Sequence, residues 1–225
     1  VLSESMRKAK AAEAVTQDRL NLARLYLLDD QPRAAIDTFL LAGQAATLPL
    51  DSQRLLVQAY MQVNEYRAAL PLAEAVVEAD AGATDSWYQL LVALNYRLQR
   101  YAAAADWQHV LVQRQPGQLA GWRQLAGLQS MAGRQRAAAA SLRLAREAGL
   151  ALNEQDMDNL IALQQQAGAP WQAAHLLEEM LAAGLLDAGQ RQQQLAQLWQ
   201  QARDYPRAIS AWTRVAERSG RTEHW

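Results

Sequence analysis

The sequence predicts an all-α solenoid of six helix-turn-helix repeats plus an N-terminal helix, and three observations predict it. The first is composition. Ala supplies 46 residues and Gln 27, whereas Ile, Val and Thr together supply 19. Ala is the best helix former and β-branched residues are the usual strand formers, so this balance excludes a substantial sheet. The second is a repeat: a 34-residue ruler placed at Thr16 recurs at Leu50, Asp85, Leu119, Glu154 and Gly189, in steps of 34 or 35. The third is what recurs. Position seven is Leu in all six copies, from Leu22 to Leu195, and position twenty is Ala in all six: Ala35, Ala69, Ala104, Ala138, Ala173 and Ala208.

Residues 1–15 read as one helix, the end of a preceding element, and residues 16–218 as the six repeats. Each repeat is a first helix, a short turn and a second helix. The turns read Asp30-Gln31-Pro32, Asn64-Glu65-Tyr66, Gln99-Arg100-Tyr101, Gly133-Arg134-Gln135, Gly168-Ala169-Pro170 and Arg203-Asp204-Tyr205. Two antiparallel helices joined this tightly approach closely only where a small side chain meets the partner helix, which is the reason for Ala at position twenty. Large residues at positions four, seven, eleven and twenty-four fill the space beside it, such as Leu22, Tyr26 and Phe39 in repeat one and Leu195, Trp199 and Trp212 in repeat six. Pro116 ends the second helix of repeat three. Thr222-Glu223-His224-Trp225 echoes Thr84-Asp85-Ser86-Trp87, so residues 219–225 read as the start of a truncated seventh repeat, and the chain as a fragment of a longer protein.

Composition also bounds function. With 51% hydrophobic and 20% charged residues the chain is an ordered protein. A net charge of −1 removes bulk electrostatic attraction to nucleic acid. The absence of Cys excludes disulfides, a thiolate nucleophile and Cys-ligated zinc. No apolar run approaches the roughly 18 residues of a membrane-spanning helix, so direct membrane insertion is not expected. His109, His175 and His224 lie far apart. His175 with Glu178 and Glu179 has the helical spacing of a metal site, against the plainer reading of a solvated face. Asp156 and Asp158, two apart on a helix, diverge rather than meet. No Gly-rich phosphate loop is present. The expectation is no enzyme, no cofactor and no metal.

Repeat four carries Trp122, Leu125, Ala126, Gly133, Ala138 and Ala145 in register. This pattern resembles the tetratricopeptide repeat (TPR), and the resemblance covers residues 16–218. It departs from the family at Ala73 and Gln108, where a large apolar residue is usual. The resemblance implies a right-handed superhelix whose first helices line a concave face, with ligand contacts at repeat positions two, five, nine, twelve and thirteen. Carried onto this sequence, repeat one offers Gln17, Leu20, Arg24, Leu27 and Leu28, and the partner-binding candidates are Arg24, Arg54, Gln58, Gln89, Tyr96, Arg97, Arg123, Asp158, Gln165 and Gln197. The groove has no Lys and lacks the Asn pattern with which the chaperone-tail-binding version of the family holds a terminal carboxylate. Its amide-rich, arginine-dotted lining suits an extended peptide or a partner helix, against the plainer reading that Gln solvates exposed helix faces.

Charge is segregated along the chain. Residues Arg97 to Arg146 contain eight Arg and one acid, whereas Glu147 to Gln190 contain seven acids and no Lys or Arg. The functional reading is docking of an acidic partner on repeats three and four, or head-to-tail self-association. The competing reading neutralises these Arg within the chain, with Asp158 opposite Arg123. Trp171, at a position usually facing solvent, is expected to cap its turn by stacking on a neighbour, with an exposed anchor for a partner as the alternative.

The run from Asn153-Glu154-Gln155-Asp156-Met157 through Ala182-Ala183-Gly184, followed by Leu198-Trp199-Gln200-Gln201-Ala202, is similar to the periplasmic TPR proteins associated with TonB energy-transduction systems; Leu22-Ala23-Arg24-Leu25-Tyr26 agrees. This implies a non-enzymatic protein–protein interaction scaffold in the bacterial periplasm, partnering TonB, ExbB or ExbD in iron-siderophore uptake. The alternatives are an envelope-assembly or pilus/secretion scaffold of the same fold, a support domain of an enzyme whose chemistry lies outside this fragment, and a cytoplasmic location.

Overall fold

The computed structural model describes residues 2–184 and 188–219 and is all-helical over them. Twelve α-helices follow in order: α1 Leu2–Leu28, α2 Pro32–Ala42, α3 Leu50–Gln62, α4 Tyr66–Ala79, α5 Asp85–Arg97, α6 Tyr101–Arg114, α7 Leu119–Met131, α8 Gln135–Glu147, α9 Glu154–Gln166, α10 Pro170–Ala182, α11 Ala188–Gln201 and α12 Tyr205–Ser219. A single 3₁₀ turn, Ala45–Thr47, precedes α3. The segment expected as a separate N-terminal helix is helical but runs unbroken into the first helix of repeat one, giving a helix of 27 residues. Nothing between residues 1 and 28 breaks it: there is no Gly or Pro, and Ala recurs at residues 9, 11, 12, 14 and 23. Of the segment 219–225, everything beyond Ser219 lies outside the described residues.

The chain forms two units, residues 1–111 and 112–225. In the first, α1 packs on α2, α2 on α3, α3 on α4 and α4 on α5. In the second, α7 packs on α8, α8 on α9, α9 on α10, α10 on α11 and α11 on α12. Each helix thus touches mainly its neighbours in sequence, the arrangement of a repeat array.

Position twenty lies in the interior of every repeat. All six Ala there are buried, five of them completely. The flanking large residues fill the core: Phe39, Leu56, Leu91 and Leu94 in the first unit, and Leu160, Ile161, Leu195 and Trp199 in the second. Where the sequence departs from the family, the core closes by other means. Ala73 is buried beside Leu70 and Leu72, and Gln108 is buried next to Trp107, whose ring meets Tyr88 at 6.0 Å.

The turns share one device. Position fifteen of every repeat adopts a left-handed backbone: Asp30, Asn64, Gln99, Gly133, Gly168 and Arg203 have φ between 55° and 74°. The N–H of the following residue then reaches back to an orphaned helix carbonyl, as in Glu65 to Tyr60 at 2.9 Å and Arg134 to Gln129 at 2.8 Å. Gly fills this position in repeats four and five, and Asp or Asn in repeats one and two, which are the residues that tolerate it best. Gln99 and Arg203 carry the steric cost.

Ala138→Leu overpacks a closed contact and should lower unfolding stability by about 1–3 kcal/mol, whereas Gln200→Ala, on an exposed position, should stay within about 0.5 kcal/mol. Denaturant midpoints that match for the two would contradict the repeat phasing. Gly133→Ala meets no atom within 4 Å, so its cost should be the left-handed backbone alone, about 1–2 kcal/mol; Gln99→Gly should move the melting temperature the other way.

Candidate functional site

Positions two, five, nine, twelve and thirteen are spaced by three or four residues and therefore share one stripe of the first helix. The second stripe, at positions seven and eight, carries apolar or small residues and turns into the core in every repeat except at Leu22, which is 44% exposed. The face therefore follows from burial on the opposite side. In the first unit α1, α3 and α5 present it, and in the second α7, α9 and α11. Among the described side chains at these positions every one is exposed or half-exposed except Leu20. The side chain of Gln190 lies outside the described residues.

Leu20 corrects the sequence expectation. It is only 2% exposed and belongs to the core of the first unit. Repeats two to six have Arg, Gln or Asp at this position, residues that keep a charged or amide head in water. A Leu on the edge of the stripe gains roughly 1.5–3 kcal/mol by turning inward.

The face of the first unit holds six of the candidates. Arg54 is committed: it donates to Asp80 at 2.6 Å and to Asp51 at 3.1 Å. Tyr96 is exposed and meets Tyr101 edge-on at 5.7 Å. Among the described residues, Arg24, Gln58, Gln89 and Arg97 have no side-chain partner, so their donors and acceptors face solvent.

The second unit is different. Arg123 forks onto Asp156, with Nε donating to Oδ1 and Nη2 to Oδ2, both at 2.7 Å. Asp156 is almost completely buried and fully bonded. Its Oδ2 also accepts from the Asn153 N–H at 2.9 Å, while Asn153 Oδ1 accepts from the Asp156 N–H at 2.9 Å, a reciprocal cap on α9. Asp158, expected opposite Arg123, instead accepts from Arg191 at 2.6 Å. The reason is the helix geometry: two residues apart, the carboxylates point to opposite neighbours, Asp156 toward repeat four and Asp158 toward repeat six. Gln165 donates to Gln201 at 3.3 Å, and Gln197 is exposed without a partner among the described residues.

These pairs revise the reading of the basic block. Arg123 binds Asp156, Arg146 binds Glu179, and Arg143 meets Glu147 at 3.5 Å. At least three of its eight Arg are therefore neutralised within the chain, while the side chains of Arg97 and Arg100 have no partner among the described residues. The basic and acidic blocks are one repeat apart, and opposite charges fall into register across the repeat junction. Sequence reasoning missed Asp156 and Arg191 as members of this network. The signal that marks them is a separation of 33 residues, shared by Arg123–Asp156, Arg146–Glu179 and Asp158–Arg191.

Trp171 is half-exposed and packs against His175, with ring centroids 4.1 Å apart and planes tilted by 55°, and meets the buried Trp199 edge-on at 6.5 Å. Arg207 lies over the other side of this cluster, 4.6 Å from the Trp199 ring and 3.2 Å from His175 Nε2. Trp171 thus contacts a neighbouring ring at a tilt while about half of its surface stays exposed. Glu179 turns to Arg146, so His175 and Glu179 do not converge.

The Arg123 fork holds the Asp156 carboxyl below the usual carboxylate range, against burial, which acts the other way, and with help from the Asn153 N–H. A carboxylate depressed in the folded state contributes stability that is complete above its unfolded pKa of about 3.9 and is lost as pH falls through the folded value. Asp156→Asn should therefore cost about 1–2 kcal/mol at neutral pH, through the cap and the lost charge-assisted bonds, and should flatten the acid limb of the melting curve. Parallel acid limbs for the wild type and this variant would contradict the assignment.

No family model and no curated protein matches the sequence. Solved structures do. A chain of the Naa15/Naa10 assembly bound to HypK-THB is 12% identical with a TM-score of 0.66, covering 96% of this chain and 33% of its own, so this chain spans about a third of that relative's length. A point mutant of MamA is 18% identical with a TM-score of 0.50, covering 77% of this chain and 96% of that one. MamA AMB-1 is 17% identical at the same TM-score, covering 74% and 90%. At these identities the likeness is one of fold: helical repeats of the tetratricopeptide type.

Proposed function

We propose that the chain is a non-enzymatic scaffold that holds a protein partner along the exposed face of its first helices. The observation that carries this reading is the set of unsatisfied polar groups on the first unit: Arg24, Gln58, Gln89 and Arg97 beside the exposed ring of Tyr96. Amide side chains can pair with the N–H and C=O of an extended peptide, and a guanidinium can fork onto a carboxylate. Their backbones are already fixed in helices, so capture of a peptide has to order only the side chains.

The finer reading is a periplasmic accessory of TonB energy transduction, with TonB or ExbD supplying the bound segment. Its support is the resemblance of the α9–α11 sequence. Titration of the chain with the purified periplasmic domains of TonB and ExbD is the test. Binding should weaken with salt, because exposed charges are screened beyond about 8 Å at physiological ionic strength, and Arg97→Glu should remove most of it with the helical spectrum intact. Binding of neither domain would remove the TonB reading. Binding of either one unaffected by Arg97→Glu would move the site to the amide-rich face of the second unit.

A further inference from the structure

We propose that the groove between α8 and α10 binds an extended segment of a protein partner in which acidic and apolar side chains alternate. The site lies on the second helices of repeats four and five, away from the first-helix face proposed above, and does not rest on that reading. Both α8 and α10 pack on α9. The space between them stays open because small residues border it: Ala139 and Ala140 on α8, and Ala167-Gly168-Ala169 in the turn before α10. A second hollow continues from it toward Trp171, and Arg143, Gln164 and Gln172 border both.

The α8 bank carries charge that the chain does not meet. Arg136 and Arg143 are exposed at positions eighteen and twenty-five. Arg136 Nε donates to the Ala167 carbonyl at 3.4 Å, and its two Nη groups have no partner among the described residues. Arg143 has a surface contact with Glu147 at 3.5 Å, a kind of pair that contributes little and that a ligand carboxylate can displace. Elsewhere an Arg at position eighteen is followed on its own helix by an acid at position twenty-two or twenty-five, Asp37 after Arg33 and Glu74 after Arg67. On α8 those two positions are Ala140 and Arg143. Glu179, which also borders the groove, is held by Arg146.

The floor supplies an acceptor without a donor. At position eleven Tyr60 and Trp199 bury rings, and Gln129 Oε1 accepts from Ser141 Oγ at 2.8 Å. Repeat five has Leu176 in the place of Ser141, and Gln164 Oε1 is buried with no hydrogen-bond partner. A buried oxygen in that state calls for a donor. An ionised carboxylate has none to give, and a helix has already spent its interior N–H groups, so the donor that fits is the backbone N–H of an extended chain. Along such a chain successive side chains point to opposite sides. Acidic ones then reach the α8 arginines, apolar ones reach the half-exposed ring of Trp171 on α10, and the backbone between them faces Gln164. Arg136 and Arg143 are seven residues apart on one helix, a rise of about 10 Å. Carboxylates two to four residues apart on an extended chain, about 7–13 Å, match that spacing.

Fluorescence anisotropy of the fluorescein-labelled peptide Gly-Glu-Leu-Glu-Leu-Glu-Gly, with the wild type, Arg136→Glu and Gln164→Leu, tests this. The wild type should bind it less tightly as salt rises, and should not bind the same peptide with Gln in place of each Glu. Arg136→Glu, at an exposed position, should weaken binding about tenfold or more with the helical spectrum unchanged. Gln164→Leu should also weaken binding while melting no lower than the wild type, because it removes an unpaired buried oxygen. A Gln164 with a merely structural role would leave the peptide affinity as it was. No binding by the wild type, or affinity unchanged in either variant, would overturn the proposal. Tighter binding of a labelled uridine hexamer than of the peptide would overturn it too, and would assign the arginines and the ring to single-stranded nucleic acid. Failure here leaves the TonB and ExbD titration untouched, since that binding depends on Arg97.

Discussion

The contact on which the structure depends is the meeting of two helices across a single methyl group at position twenty of each repeat. With Ala there, the backbones of a pair come close enough that the short left-handed turn at position fifteen can join them. Beside that Ala the cores are filled by residues such as Phe39, Leu56, Leu91, Leu160, Leu195 and Trp199. It also sets the orientation of the outer stripe, since a helix whose inner stripe is fixed has no choice about what it shows to solvent. The exposed face, the turns and the repeat junctions are therefore consequences of one steric condition repeated six times.

Electrostatics serves the same geometry. A chain with eight Arg in one block and seven acids in the next looks like a dipole when laid out in sequence. Folded as repeats, charges one repeat apart face each other, and the second unit uses them to stitch successive first helices: Arg123 to Asp156, then Asp158 to Arg191. Asp156 is nearly buried, so its pair has strict geometry, while Arg143–Glu147 lies on the surface, where such pairs contribute little. In the first unit the side chains of Arg24 and Arg97 have no partner among the described residues.

Much of this was legible in the sequence because a repeat writes the same local problem six times. Ala at position twenty, Leu at position seven and the turn residues are read by period alone, and the face of the first helices follows from them. What escaped is what depends on a neighbour. Leu22 obeys the repeat in sequence and breaks it in space, lying on a face that no preceding repeat of the described chain covers, whereas Leu20, an apolar residue at a position that is polar in the other five repeats, is drawn into the core. The choice between Asp156 and Asp158 as the partner of Arg123 depends on a two-residue offset on a helix, which fixes direction only once the neighbouring repeats are placed. The continuity of α1 escaped for a different reason: the repeat ruler marks where a repeat begins and is silent about a helix that crosses the mark.

The central claim is that stability in this chain is built from helix pairs that support their sequence neighbours, as in a one-dimensional array. Native-state hydrogen exchange resolved by residue measures this directly. The account predicts the slowest exchange in α3–α5 and α9–α11, rapid exchange over residues 4–15 of α1, whose side chains are exposed where described, and, in Asp156→Asn, faster exchange confined to α7, α9 and the helices packed on them. A uniform acceleration that reached α1–α4 as strongly as α9 would contradict it, because the chain would then be unfolding as one body.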